Sequence, residues 1–369
     1  MVGDFFRNLG DKVADVLHRD KEVIPFPTYG YQKGGAEGGW VISLRIWVNK
    51  ARRLPIPDEV IGVFTRDLGH LDADDVKQLR GRIKHFVADD DSDEEVSVKF
   101  DDDPDDQTHV LPTRTDENGL VKHDLEISAG KAQQLLDAQG STSGWLSFTA
   151  SAESFDGKGR ARLVGPRGLS IISDIDDTIK VTEVPSGKHV VLRNVFLRDY
   201  ETTPRMADMY RAFGGDVMFH YVSGSPWQLY KILGDFLVGD SEFPEGAFHM
   251  KDVGKNLRVA ENWENFKKFT EGDKATLVQK EEQITRIFQN LPEREFILIG
   301  DSGEKDPEVF SRIRDAFPTR VRKIFIRDVL EERHKADSTR LDRMAVIDPE
   351  GNVFRDVEPE GFGVTRFAD

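Results

Sequence analysis

Hydrophobic and polar positions change rhythm about halfway along the chain. In the first half, Ile42, Leu44, Ile46 and Val48 interleave with Ser43, Arg45 and Trp47, and WLSFTA at 145–150 alternates likewise. Period-two alternation is the pattern of a half-buried strand. VSVKF at 96–100 and LEI at 125–127 lie between these runs, set apart by turn-forming residues such as DENG at 116–119. One helix is predicted to interrupt the strands. Asp72, Asp74 and Asp75 put acidic groups at its positive end, ahead of Val76, Leu79, Ile83 and Phe86. Several short strands joined by polar turns predict a small sandwich.

From Leu169 the pattern becomes strand, helix, strand, helix. LSII at 169–172, DVMFHYV at 216–222, FILI at 296–299 and KIFIRD at 323–328 are runs suited to strands buried on both faces. Between them lie helical stripes at Leu229, Ile232, Leu233, Phe236 and Leu237, along 274–290, and at Val309, Phe310, Ile313 and Phe317. Alternation of this kind predicts a mostly parallel sheet. Ser225 and Pro226 are placed to be the N-cap and first residue of the helix after the second strand. Residues 181–213 are predicted to carry the first helix and an insertion over the sheet edge. Gly157, Gly159, Gly165, Pro166 and Gly168 read as a linker. The expected organisation is an amphipathic helix over 1–19, a β-rich sandwich-like domain over 20–165, an α/β domain over 166–330, and a tail over 331–369 with no assigned role.

Composition narrows the function classes. A length of 369 residues favours two domains. A net charge of −16 argues against a nucleic-acid partner. The absence of cysteine excludes disulfides, a thiolate nucleophile and zinc–thiolate sites. No apolar run approaches the roughly 18 residues of a membrane span, and no basic segment precedes an apolar one as in a signal peptide. A cytoplasmic protein is expected. The stripe Phe5, Leu9, Val13, Val16 and Leu17 has a nearly neutral polar face, open to docking on protein or to a lipid interface. The acidic stretches 89–95 and 101–106 lack the spacing and central glycine of a calcium loop, and read as a solvated hairpin flank.

The candidate chemistry gathers at strand ends. The strand at 169–172 runs into Asp174, Asp176 and Thr178, and open α/β sheets bind ligands at the carboxyl ends of their strands. Asp174 and Asp176 are two apart, so an extended backbone puts both carboxylates on one side. Two close carboxylates call for a cation or a shared proton, although a lone pair of this kind also serves as a simple strand cap. The second strand ends at Ser223-Gly224, ahead of a helix start that favours anions. Lys280 has Leu277, Ile284 and Ile287 at helical spacing and so lies along an apolar face. There it either snorkels or pairs with an anion at the sheet edge. The run at 296–299 is followed by GDSGEKD, which holds Asp301 and Asp306.

These four elements, in this order, resemble the motifs of the haloacid-dehalogenase-like phosphohydrolases. The longer strings SDIDDTIKVTEV and GDSGEKDPEVF resemble the actin-patch-protein-type phosphatidate phosphatase family. The resemblance implies a Rossmann-type α/β catalytic domain and hydrolysis of phosphatidate to diacylglycerol and phosphate. It implies Asp174 as nucleophile, Asp176 as acid and base, and Ser223, Gly224 and Lys280 as stabilisers of phosphoryl charge, with Thr178 shaping the loop at the substrate. Mg²⁺ would be held by Asp174, Asp301, Asp306 and the Asp176 carbonyl. Gln279 stands where the family usually has histidine, so Lys274 is kept as an alternative to Lys280. The implied substrate sits at a membrane surface, approached peripherally, with Arg193, Arg198 and Arg205 as candidate anchors against an anionic bilayer. Two other readings remain: a phosphohydrolase for a soluble or protein-borne phosphomonoester, and a recruitment protein with an inert phosphatase half. An open aromatic rim at Trp227 would favour lipid.

Overall fold

The alternation in the first half becomes a nine-stranded antiparallel sheet in the computed structural model, which describes residues 19–33, 38–52, 61–62, 65–66, 68–84, 88–251, 274–335 and 338–356. The stripe expected over 4–18 and the side chain of Lys274 lie outside the described residues. The chain divides into two compact units that part between Leu163 and Val164.

In the first unit, β1 (Arg19–Pro25), β2 (Thr28–Gln32), β3 (Trp40–Arg52), β4 (Asp89–Asp90), β5 (Ser97–Phe100), β6 (Thr108–Val110), β7 (Leu120–Ile127), β8 (Trp145–Ala152) and β9 (Phe155–Val164) form the sheet. Its order is β1-β3-β2-β9-β8-β5-β6, with β4 and β7 also on β3. Ile42, Leu44, Ile46 and Val48 share one core with Val98, Phe100, Leu146 and Phe148. The two ends of the sheet therefore bury a common apolar face. The expected helix is α1 (Ala73–Ile83), and the Asp72 carboxylate accepts the Asp75 N–H at 2.8 Å. A second helix, α2 (Ala129–Ala138), was not expected. It is capped by Ser128 and buries Ala132 and Leu135.

Two expectations for this unit are corrected. Gly157 and Gly159 are strand residues of β9 and not linker. A Cβ on Gly157 would stand 1.9 Å from the Val23 carbonyl oxygen, so only glycine lets the two backbones pass. The acidic stretches are not simply solvated. Asp91 and Asp103 are buried, Asp91 with Lys21 and Lys50 at 2.9 and 2.7 Å, and Asp103 with Lys131. Burial without those lysines would leave uncompensated charge.

The second unit is built on β10 (Leu169–Ser173), β11 (Met218–Pro226), β12 (Gly246–Lys251), β13 (Glu295–Asp301), β14 (Val321–Arg327), β15 (Ala345–Ile347) and β16 (Val353–Arg355), in the order β12-β11-β10-β13-β14-β15-β16. All neighbours are parallel except β15 and β16. Numbered from β10, the first six strands run 3-2-1-4-5-6, the Rossmann order, which reverses beside the first strand. The ligand crevice of such a sheet opens at the carboxyl ends of β10 and β13. The insertion carries α3 (Lys188–Phe196) and α4 (Met206–Ala212). Residues read as a tail extend the sheet by β15 and β16.

A further expectation fails at the end of β11. The strand continues through Pro226 into a 3-10 turn at Trp227–Leu229, and only then into the short helix α5 (Tyr230–Gly234). Ser225 caps no helix. Its hydroxyl is taken by a carboxylate, as described below.

Candidate active site

Strand register brings the acidic residues together. Ser173 on β10 pairs with Tyr221 on β11 and Ile299 on β13, and the Asp174 N–H reaches the Ile299 carbonyl at 2.9 Å. Asp174, Ser223 and Asp301 thus leave neighbouring strands on the same edge. All three are buried, as are Asp176, Thr178, Lys280 and Asp306.

Lys280 comes from α6 (Lys274–Asn290), whose apolar face buries Ile284, Ile287 and Phe288. Its ammonium donates to Asp174 Oδ1 at 2.7 Å and to Asp306 Oδ1, and lies 3.7 Å from Glu304 Oε2. Of the two options left by the sequence, pairing with an anion is the one realised. Burial alone would depress the ammonium, but Asp174, Asp306 and Glu304 hold its pKa well above the ordinary value.

Asp174, Asp301 and Glu304 each offer an oxygen within 4.8 Å of the others. Asp174 Oδ2 and Asp301 Oδ2 are buried without hydrogen-bond partners. Burial is the main reason that Asp174 and Asp301 are pushed well above the usual carboxylate range, and neighbouring carboxylates add to it. Glu304 is pushed up to about 7 by burial, against the pull of Lys280 and with the help of Asp306. Glu304 is the residue that the sequence reading missed, although it lies inside GDSGEKD. Asp306 is engaged otherwise: Oδ1 with Lys280, and Oδ2 with the Asp301 N–H at 3.2 Å.

Gly300 makes that last contact possible. A Cβ there would lie 2.2 Å from Asp306 Oδ2. Gly300→Ala is expected to displace Asp306, costing about 1–3 kcal/mol of stability, as overpacking does, and lowering turnover. Urea unfolding alongside steady-state kinetics checks both, and a neutral result would remove Asp306 from the site.

Asp176 faces different company. Lys180 lies 3.0 Å from its Oδ1, which also accepts the Thr182 hydroxyl at 2.8 Å, while Ser225 and Ser223 reach Oδ2 at 3.0 and 3.4 Å. Burial raises its pKa, but Lys180 and the hydrogen bonds outweigh that and hold it below the usual value. Lys180 and Thr182 were also missed; the surplus of buried carboxylate in DIDDTIK was the available signal for a counter-charge. Asp177, at φ +57°, accepts the N–H groups of Thr182, Glu183 and Val184 and ties the insertion to the loop. Thr178 Oγ1 is buried without a partner, and the Ser223 hydroxyl accepts the Ser225 N–H at 2.9 Å.

The aromatic rim does not take the expected form. Trp227 is only 1% exposed. Arg193 is half-buried, Arg205 donates to Asn352, and Arg198 groups with the first unit. Among the described residues, no helix is long and apolar enough to cross a membrane.

Comparison with known proteins places residues 169–328 on the model of the phosphatidate phosphatase APP1 catalytic domain. Phosphatidate phosphatase APP1 of Saccharomyces cerevisiae is 33% identical over 171 residues, covering 45% of this chain and 27% of that protein. An uncharacterized protein of Schizosaccharomyces pombe is 31% identical over 169 residues, covering 45% and 26%. The matched segment thus spans about a quarter of the length of these relatives. A solved carbohydrate esterase structure aligns over 83% of this chain and 88% of that one at 9% identity and a TM-score of 0.20, too slight a likeness to bear on the fold. Residues 169–328 are thus similar to the catalytic domain of phosphatidate phosphatase APP1.

Proposed function

We propose that this protein is a Mg²⁺-dependent phosphatidate phosphatase with a haloacid-dehalogenase-like catalytic domain over 166–330, working through an aspartyl-phosphate. The observation that carries the reading is the Asp174 carboxylate, with one oxygen on Lys280 and the other buried and unpartnered at the crevice of the sheet. The family match supplies the substrate class.

The donor set fits a hard divalent cation: three carboxylates with converging oxygens, two of them orphaned in the interior. Asp174, Asp301 and Glu304 would hold it, with Asp306 and the Asp176 carbonyl as the further ligands implied by the motifs. Bound there, Mg²⁺ would neutralise the charge that otherwise keeps an anionic nucleophile from an anionic ester. Asp174 attacks phosphorus, and the bond from phosphorus to the glycerol oxygen breaks. Asp176, after first taking up a proton, gives it to that oxygen and later takes one from the water that attacks the phosphoenzyme. Lys180 and two hydroxyls hold Asp176 ionised in this arrangement, the form that the second step uses. Ser223, the Gly224 N–H, Thr178 and Lys280 stabilise the equatorial oxygens. The first unit receives no role in this chemistry. The substrate sits in a bilayer, so the enzyme would work from the membrane surface.

The test is activity of the purified protein on dispersed phosphatidate and on soluble phosphomonoesters, with Mg²⁺ and with chelator. Release of phosphate from phosphatidate, lost with chelator, is expected. Turnover of soluble esters alone would favour the second reading, a phosphohydrolase for a soluble or protein-borne phosphomonoester, for which the burial of Trp227 speaks.

A pH dependence follows. Glu304, with its pKa raised to about 7, must shed a proton before it binds a cation. Cation affinity is therefore expected to climb as pH rises through about 7. Calorimetric titration with Mg²⁺ between about pH 5.5 and 8 checks this, and an affinity that falls with pH would contradict it.

A further inference from the structure

We propose that Arg340, beyond the matched segment, is a positioning residue for the cation site, clamping the turn that presents Glu304 and Asp306. The inference rests on the reading of Asp174, Asp301 and Glu304 as a cation centre.

The turn from Asp301 to Asp306 has little apolar content of its own. From within, it is stitched by Asp301 Oδ1, which accepts the Gly303 and Glu304 N–H groups at 2.6 and 3.1 Å. Those bonds leave the outward carbonyls of Ser302 and Glu304 unserved. Arg340 serves both, donating Nη1 to the Ser302 carbonyl and Nη2 to the Glu304 carbonyl. The same guanidinium meets Glu308, on the first turn of α7 (Asp306–Ala316), through Nε to Oε1 and Nη2 to Oε2, each at 3.0 Å. One planar group thus joins three points of the turn and helix start: the residue after Asp301, the backbone of Glu304 itself, and the helix that begins at Asp306. Arginine suits the task because its five donors form a rigid fork, whereas lysine offers a single point charge.

The mechanical consequence concerns the carboxylates. Glu304 and Asp306 crowd Asp174 and Asp301, and in the absence of a cation these like charges push the turn outwards. The clamp resists that push and keeps the Glu304 oxygen within reach of the other two. Outer groups that orient ligands in this way typically change metal affinity about 10- to 100-fold when removed.

The experiment is Mn²⁺ binding to the full chain, read as free Mn²⁺ by electron paramagnetic resonance, with folding followed by circular dichroism. Arg340→Ala is expected to weaken Mn²⁺ about 10- to 100-fold, and Arg340→Lys to weaken it less. Arg312→Ala, on α7 with Glu308 but paired with Glu281 at 2.8 Å, is expected to leave affinity unchanged. Glu308→Gln, which keeps the two carbonyl contacts and loses the ion pair, is expected to cost a few-fold, and it carries the test if Arg340→Ala does not fold. Equal affinity in wild type and Arg340→Ala, or in wild type and Glu308→Gln when that variant carries the test, overturns the clamp. So does an Arg312→Ala loss as large as that of Arg340→Ala. Failure of wild type to bind Mn²⁺ would instead remove the cation centre, and the clamp with it.

Discussion

Asp174→Asn is expected to abolish turnover and leave the second unit folded. The substitution is isosteric, and the amide oxygen can still accept from Lys280, which holds Asp174 Oδ1 at 2.7 Å. The amide has no lone pair nucleophilic enough to attack phosphorus, so the first step is lost outright. A fall of roughly 10⁴-fold or more is expected, in the range seen when a nucleophile is removed. Rapid quenching in acid should trap a hydroxylamine-sensitive phosphoenzyme in wild type and none in the variant. Stability should move the other way. Burial, reinforced by Asp306 and Glu304 and opposed by Lys280, raises the Asp174 pKa, so the ionised group is strained in the metal-free protein. The neutral amide removes that strain, and in chelator the variant should melt no lower than wild type. Residual activity above a trace would end the covalent reading. A marked loss of stability would mean that Asp174 is a structural partner of Lys280 and not a poised nucleophile.

The sequence made parts of this site legible because buried parallel strands write themselves as unbroken apolar runs. Leu169–Ser173 and Glu295–Asp301 were read within two residues of their ends, and their registers fixed the rest. Lys280 was legible through its spacing on an apolar helix face. Glu304 was not, because a glutamate between two aspartates in a turn has no periodicity to mark it, and its place comes from the backbone of the turn. Lys180 was hidden in the same way: only the fold shows that Asp176 has no water to offset its charge. Ser225 misled because Ser-Pro before an apolar stripe is the chemistry of a helix start, yet the neighbouring Asp176 offered its hydroxyl a stronger acceptor. Helix α2 escaped notice since AGKAQQLLDA carries only a narrow apolar stripe. The strands at Ala345–Ile347 and Val353–Arg355 are three residues each, too short for any pattern, and are set by pairing alone. Arg340 lies just before these strands, and its bonds to the Ser302 and Glu304 carbonyls are likewise tertiary.

Lys280→Met is expected to lower both turnover and stability, with the stability loss depending on pH. The ammonium is the counter-charge for Asp174 and Asp306 and lies 3.7 Å from Glu304. Its pKa is raised above 10.5, so its contribution is fully present below that value and is intact throughout the neutral range. Removing one partner of a buried ion pair costs about 3–5 kcal/mol. In the variant the carboxylates can escape only by holding protons. Groups whose pKa is raised on folding bind more protons folded than unfolded, so stability rises as pH falls. Relief should set in above about 7, because Lys280 pulls the Glu304 pKa down to that value and without it Glu304 holds its proton to higher pH. Urea unfolding in chelator should therefore show a wide gap between wild type and variant at about pH 8 that narrows by about pH 5.5. Turnover should fall by roughly 10²–10³-fold, the cost of losing one charge-stabilising donor. Lys274→Ala, six residues earlier on the same helix, should leave turnover close to wild type. Were Lys274→Ala the damaging change, or the Lys280→Met stability gap constant with pH, the lysine that faces the phosphoryl group would not be Lys280.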